Sequence, residues 1–356
     1  MHSGQARWQL GHRPGLDGLR GVAILLVVLS HLGVKRLEFL GGVGVTVFFT
    51  LSGFLITALL LSEHDRAGRI SMHGFYRRRF FRLAPAFLLM LAVVVPIEYA
   101  LTGAAPYWWT TVAEIGNWIS ATKGPASLNM LHHTWSLAIE EQFYLAWPLV
   151  LWGVSRRFGR RGVVVLAVSG IVLSLVAALS TDGYRLGFGT DTNASSLLAG
   201  CLLAVMMVGN RIRIAPRWTM PVVAVVVLVA FNAGWWTQHV LIPGATVLVI
   251  WTVSTRSSRL LMAKPLIGAG RISYGWYLWN FPAAMLALSY GVSMVVAAVV
   301  SLGVALASWR YVEQPILRRF SHRVEVGVRP SVAEFGGVER SPRHVHGSGL
   351  QNVSRA

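Results

Sequence analysis

The sequence predicts an all-α fold, a polytopic membrane helix bundle of about ten transmembrane helices. Three observations carry this. Of the 356 residues 54% are hydrophobic and only 13% charged, whereas a soluble domain carries about 25% charge. Apolar stretches of near-spanning length recur at about 16–34, 40–61, 83–101, 134–153, 162–180, 192–209, 219–235, 240–255, 270–289 and 291–310, and a hydrocarbon core about 30 Å thick takes about 20 helical residues. Finally, the 32 Lys and Arg cluster before span one or after spans two, four, six, eight and ten, and only Lys35, Arg36, Lys123 and Arg185 lie in the alternate loops. By the positive-inside rule both termini are predicted to be cytoplasmic.

Taken in order, span one follows Arg7, Arg13 and Arg20, lacks a small-residue cleavage end and is followed at once by another span. It reads as a retained anchor rather than a cleaved signal. Span two holds Gly41, Gly42, Gly44 and Gly53, which suit close helix packing and lack the strand–helix context of a phosphate-binding loop. Arg66 to Arg82 separate spans two and three, and the stretch 107–122, with Trp108, Trp109 and Trp118, suits the membrane interface. Span four carries Glu140 and Glu141, and Arg156 to Arg161 divide it from span five. Cys201 in span six is the one cysteine, which excludes an intrachain disulfide. Arg256, Arg259 and Lys264 separate spans eight and nine, whereas the turns between spans seven and eight and between nine and ten carry no Lys or Arg. Residues 321–356 are rich in Gly, Ser, Arg, Pro and His, a disordered cytoplasmic tail by composition. The expected division is a membrane domain over 1–320 and a basic tail over 321–356. The net charge of +18 raises the question of nucleic acid, but the cations lie in short clusters between apolar segments, the pattern of membrane topology.

Three groups of polar residues inside this apolar frame carry chemistry. Arg20 and His31 are eleven positions apart, about three helical turns, so they share a helix face about 16 Å apart along the axis. With Arg20 at the membrane surface, His31 is expected near mid-bilayer, where a titratable group is costly and points to function. The plainer reading is a His hydrogen-bonded to a neighbouring helix. Arg79 and Arg82 also share a face, and two guanidinium forks suit a polyphosphate; the plainer reading is a lipid-headgroup anchor. Glu140 and Glu141 are expected about 10 Å deep from the outer face. One of them then reaches His31 if spans one and four pack together, making a base with its orienting carboxylate. The plainer reading is an ion pair with an Arg that locks helices.

These residues lie in motifs that resemble the acyltransferase-3 family of integral-membrane O-acyltransferases. The motifs are Leu16-Asp17-Gly18-Leu19-Arg20-Gly21 through Ser30-His31, Gly44-Val45 through Phe48-Phe49-Thr50-Leu51-Ser52-Gly53-Phe54-Leu55-Ile56, Arg79-Phe80-Phe81-Arg82, Trp135-Ser136-Leu137 with Glu140-Glu141-Gln142-Phe143-Tyr144, and Tyr311-Val312-Glu313-Gln314-Pro315. The resemblance covers about 16–319. It implies transfer of an acyl group, often acetyl, from cytoplasmic acyl-CoA to a hydroxyl of a carbohydrate, glycolipid or secondary metabolite. His31, Glu141 and Glu140 are its implied catalytic residues, and Arg20, Arg79 and Arg82 its implied substrate-binding residues. Asn280 stands where the family often has His, and Asn193 and Ser196 where it tends to have Arg and Asp.

The expected mechanism places CoA phosphates against Arg79, Arg82 and Arg20, with the pantetheine arm running along span one. His31 then takes the proton of the attacking hydroxyl; an acyl-His31 intermediate is the alternative. Acyl-CoA is a co-substrate, and no metal or tightly bound cofactor is expected. The expected partners are the acyl-CoA donor, the hydroxyl-bearing acceptor and membrane lipid. A proton-coupled transporter of an anionic or sugar-like solute is the competing class, but the sequence has no related halves. The Arg-rich, Val/Ala/Gly-rich composition is compatible with a GC-rich bacterium, and the expected location is the cell membrane, which the chain crosses several times.

Overall fold

Glycines decide how the bundle closes. In the computed structural model, which describes residues 11, 13–209, 214–230, 237–256 and 258–319, the first helix, α1 (Pro14–Ser30), starts with Pro at its first position, where the fixed φ suits helix and no N–H is lost. A Cβ at Gly18 would collide with the Leu261 carbonyl oxygen, and one at Gly21 with that of Leu266. Gly270 in turn leaves room for the Asp17 carbonyl. Gly21 and Gly270 thus bring α1 against the helix Lys264–Ser289, the two running parallel, and Gly18 meets the turn that precedes that helix. Next in the chain, α2 (Phe39–Ala67) ends at left-handed Gly68. The third helix, α3 (Met72–Thr102), is capped by Ser71, whose hydroxyl accepts from the Gly74 N–H at 3.2 Å, an N-cap contact that satisfies one unpaired helix donor.

Two short helices, α4 (Trp108–Val112) and α5 (Gly116–Lys123), lead to α6 (Thr134–Leu179), α7 (Gly183–Phe188) and α8 (Thr190–Val208). Helix α8 runs antiparallel to α2, and Gly53 and Gly200 again let backbone meet backbone, facing the Leu197 and Thr50 carbonyls. The described part of α9 is Thr219–Ala230, followed by α10 (Ile242–Thr255), α11 (Lys264–Ser289) and α12 (Met294–Ser308), which runs on into a π-turn over Trp309–Glu313. Among the described residues there is no strand.

Among the described residues six helical stretches are long and apolar enough to cross a membrane: Lys35–Ala67, Met72–Thr102, Thr134–Leu179, Gly183–Val208, Thr237–Thr255 and Met294–Arg319. The ten expected spans are thus not all matched, for local reasons. Helix α1 has only 17 residues, and α11 is interrupted by Arg271, Ser273 and Asn280. Expected spans four and five form one helix of 46 residues, broken at Gly159 by φ 64° and ψ −164°. Beside that break Arg160 grips Asp65 at 2.5 and 2.6 Å and donates to the Val208 carbonyl at 3.1 Å, tying α6 to the ends of α2 and α8. The tail over 321–356 lies outside the described residues.

Apolar side chains form two clusters, one drawing mostly on α2, α6, α8 and α10 and the other on α1, α3 and α11, with Phe48 and Phe143 touching both. A cavity opens at this seam. The glycine contacts have a measurable consequence. Gly21→Ala, which pushes a methyl into the Leu266 carbonyl of α11, lowers the thermal midpoint in detergent, with an overpacking cost of about 1–3 kcal/mol. Gly244→Ala, where a Cβ meets nothing within 4 Å, leaves it unchanged or higher; equal midpoints for the two variants would refute the seam.

Candidate active site

A cavity of about 280 Å³ lies where α1, α2, α3, α6 and α11 converge. Its charged wall is built from three helices, α1, α3 and α6. Arg20, six residues into α1, donates to Ser273 Oγ of α11 from Nε at 3.3 Å and Nη2 at 3.2 Å. Arg79 and Arg82 enter from one face of α3. Glu140, Glu141 and Tyr144 enter from α6.

The two carboxylates are engaged inside this wall. Glu140 accepts from the Tyr144 hydroxyl at 2.6 Å and from Ser52 at 3.3 Å. Glu141 lies 3.7 Å from Arg79, whose guanidinium carbon sits 2.9 Å from the centroid of the Tyr144 ring. That ring face and carboxylate orient Arg79 as a planar fork. Its Nε is buried with no hydrogen-bond partner among the described residues. A buried donor left unpaired is costly, and here it belongs to a cavity wall. Four guanidinium groups line the cavity, Arg78 among them with its own partner Glu63 at 3.7 Å, and against Glu140 and Glu141 they leave surplus positive charge, the sign that a polyphosphate requires.

His31 is elsewhere. It caps the C-terminal end of α1, and its Nδ1 pairs with Asn280 Oδ1 at 2.6 Å. The Phe281 ring lies 5.3 Å from the His31 ring, 6.0 Å from that of His132 and 5.3 Å from that of His133. Burial and the nearby His31 push His132 down to about 4, and burial, His31 and His132 push His133 down to about 3, so both are neutral imidazoles at pH 7. His132 Nδ1 also meets Ser120 Oγ at 3.3 Å.

The expected contact between His31 and Glu140 or Glu141 is therefore corrected: the imidazole bonds Asn280, and the carboxylates serve Arg79 and Tyr144. The cause is where the helices begin. Pro14 opens α1, so Arg20 is already about 9 Å along the axis and His31 about 25 Å, beyond the helix end rather than midway. Glu140 is likewise about 9 Å past the start of α6. His31 is thus level with the start of α6 and its two histidines, while the Glu pair lies nearer Arg20. The shared face of Arg20 and His31 holds: both meet α11, at Ser273 and Asn280.

Sequence reasoning missed Ser52, Tyr144 and Ser273 as partners, and His132 and His133 as neighbours of His31. The His132-His133 pair beside a polar span was the available signal. Asn193 lies away from the cavity, donating to the Gly187 and Gly189 carbonyls at 3.0 and 2.9 Å, where it fixes the turn between α7 and α8. Next to the Glu pair, Gln142 donates to the Glu114 carbonyl at 2.6 Å and to Asn117 Oδ1 at 2.9 Å, and accepts from Thr190 at 2.6 Å. This network fastens the α4–α5 turn to α6.

Residues 13–310 match the acyltransferase domain of the acyltransferase-3 family. The chain belongs to this family. The O-acetyltransferase OatA of Staphylococcus aureus strain NCTC 8325 / PS 47 is 32% identical to it over 352 residues, covering 86% of this chain and 57% of the relative. OatA of strain COL matches to the same extent. The chain thus spans little more than half the length of these relatives. No solved structure gives a significant match. As an acyltransferase-3 member, the chain combines a family-defining domain with helices able to cross a membrane, and its relatives here are bacterial.

Proposed function

We propose that this protein is a membrane O-acyltransferase that moves an acyl group, acetyl by analogy with the relatives' names, from acyl-CoA to a hydroxyl of a carbohydrate, glycolipid or secondary metabolite. The observation that carries the reading is the cationic cavity, with the unpartnered Nε of Arg79 in its wall. In this reading both termini are cytoplasmic, the CoA phosphates lie against Arg79, Arg82 and Arg20, and the pantetheine arm runs toward Tyr277. Asn280 lies one helical turn past Tyr277 on α11, about 4.5 Å along the axis, and in this reading the thioester must pass the Phe48 and Tyr277 rings, whose centroids are 6.5 Å apart, to reach His31. The acceptor hydroxyl approaches His31 from its partly exposed side. His31 takes the hydroxyl proton as the oxygen attacks the thioester carbonyl, and the thiolate of CoA leaves. Glu141 and Glu140 act here by holding Arg79 and Tyr144.

The test is release of free CoA from acetyl-CoA by the detergent-purified protein, with and without a panel of soluble sugars and lipid-linked sugars. Acceptor-dependent release, with the acyl group recovered as an ester on the acceptor, is expected. Release that no acceptor increases, together with proton-coupled solute uptake in vesicles lacking acyl-CoA, would replace the enzyme with the transporter.

A further inference from the structure

We propose that Asn280, Ser301 and Trp276 are positioning residues that fix the tautomer of His31, placing the hydrogen on Nδ1 and leaving Nε2 as the proton acceptor. The proposal rests on the reading of His31 as the base. It follows from counting hydrogens along a closed chain of contacts between α11 and α12.

Ser301 Oγ is within hydrogen-bond distance of three groups: the Ala298 carbonyl at 2.8 Å, the Trp276 indole N–H at 3.2 Å and Asn280 Nδ2 at 3.3 Å. A hydroxyl has one hydrogen, an indole only donates and a carbonyl only accepts. The 2.8 Å contact to Ala298 is at the usual O–H···O length, whereas 3.3 Å is beyond it and close to the longer N–H···O range. The Ser301 hydrogen therefore goes to Ala298, and Ser301 receives from both Trp276 and Asn280. Asn280 must then present its NH2 to Ser301, which turns its carbonyl oxygen toward His31 Nδ1, 2.6 Å away. A carbonyl cannot donate, so Nδ1 holds the hydrogen and the neutral ring keeps its lone pair on Nε2. The chain is sealed from water: Ser301 is 1% exposed, Asn280 2% and Trp276 7%. No solvent molecule competes to turn the amide round.

The chemistry has a precedent in kind, since a base needs a third group to orient it and choose its nitrogen. Here the orienting group is a neutral amide. Asn280 stands apart from the cavity wall and touches no reacting atom, so its role is positional.

The experiment is 15N NMR of the full-length protein labelled at histidine, with the His31 signals assigned by their loss in His31→Gln. In wild type, Nδ1 is expected in the pyrrole-like range and Nε2 in the pyridine-like range. Ser301→Ala frees the Asn280 amide to turn, and both His31 nitrogens then move toward averaged values. In the assay above, Asn280→Leu lowers kcat about tenfold, the worth of one ordinary hydrogen bond, with KM for acetyl-CoA unchanged. Asn280→Asp restores kcat, because a carboxylate also accepts from Nδ1–H. It also moves the acidic limb of the pH profile of kcat/KM upward, because the negative charge favours the imidazolium. The titratable groups facing His31 are His132 and His133, both neutral at pH 7, so the displacement belongs to the new carboxylate. A pyridine-like Nδ1 in wild type overturns the proposal, as does an unchanged tautomer in both Ser301→Ala and Asn280→Leu. If Nδ1–H is found but His31→Ala still transfers the acyl group, the base reading fails while the hydrogen-bond chain stands.

Discussion

His31→Ala is expected to abolish acyl transfer while leaving donor binding intact. General-base assistance contributes about 10²–10⁴-fold, and kcat should fall by about that factor. The geometry separates the two parameters. His31 caps the end of α1 and contacts Asn280 and Phe281, while the arginines line a cavity nearer the other end of the same helix. KM for acetyl-CoA should therefore change less than twofold, a difference within ordinary surface effects. The measurement is steady-state CoA release with a saturating acceptor, with folding of the variant checked by its thermal midpoint. A variant that keeps wild-type kcat removes His31 from the chemistry and makes it a structural cap. Single-turnover quenching separates direct transfer from the acyl-His31 route: acetyl-CoA consumed without acceptor, with label trapped on the protein, would support the covalent path.

What the sequence disclosed depends on whether the information was local. The Arg20–His31 pairing on one face follows from helix period alone, and the structure seats both residues on α11. The joint approach of Arg79 and Arg82 is equally local. Long apolar runs announced the all-helical class because burial and hydrogen-bonding demands in lipid leave little else. The partners of each polar side chain were not local. Asn280 is 249 positions from His31, and Ser273 is 253 from Arg20. Which carboxylate meets which cation depended on the axial offset of α1 against α6, and a shift of six residues in the start of α1 moves every level by about 9 Å. That offset turned the expected His–Glu pair into His31–Asn280 and Arg79–Glu141. The glycines of span two were legible as packing residues but not as a specific seam, because only the folded chain sets Gly53 against the Leu197 carbonyl. Gly159 was read within a loop, yet one residue in the left-handed region breaks α6 without ending it.

The second large effect concerns Arg79. In the structure its guanidinium is held on one side by the Tyr144 ring and on another by Glu141 at 3.7 Å, and its Nε points to nothing among the described residues. In the proposed reading a phosphate oxygen of the donor would supply the missing acceptor, and a hydrogen bond to a charged group is worth about 1.5–3 kcal/mol. Arg79→Ala should raise KM for acetyl-CoA about 10- to 100-fold, that energy converted at 1.4 kcal/mol per tenfold. The effect on kcat should be small, because the phosphates bind alike in ground and transition states. Arg79→Lys should not restore binding: an ammonium offers no planar fork and stacks poorly on Tyr144. Arg77→Ala, on the exposed face of α3, serves as the control and should leave KM unchanged. The decisive comparison is with acetyl-pantetheine, which keeps the thioester and lacks the nucleotide phosphates. Wild type and Arg79→Ala should then have equal KM values for it. If Arg79→Ala weakens acetyl-pantetheine and acetyl-CoA by the same factor, Arg79 supports the fold of the cavity through Glu141 and Tyr144 and does not grip the phosphates.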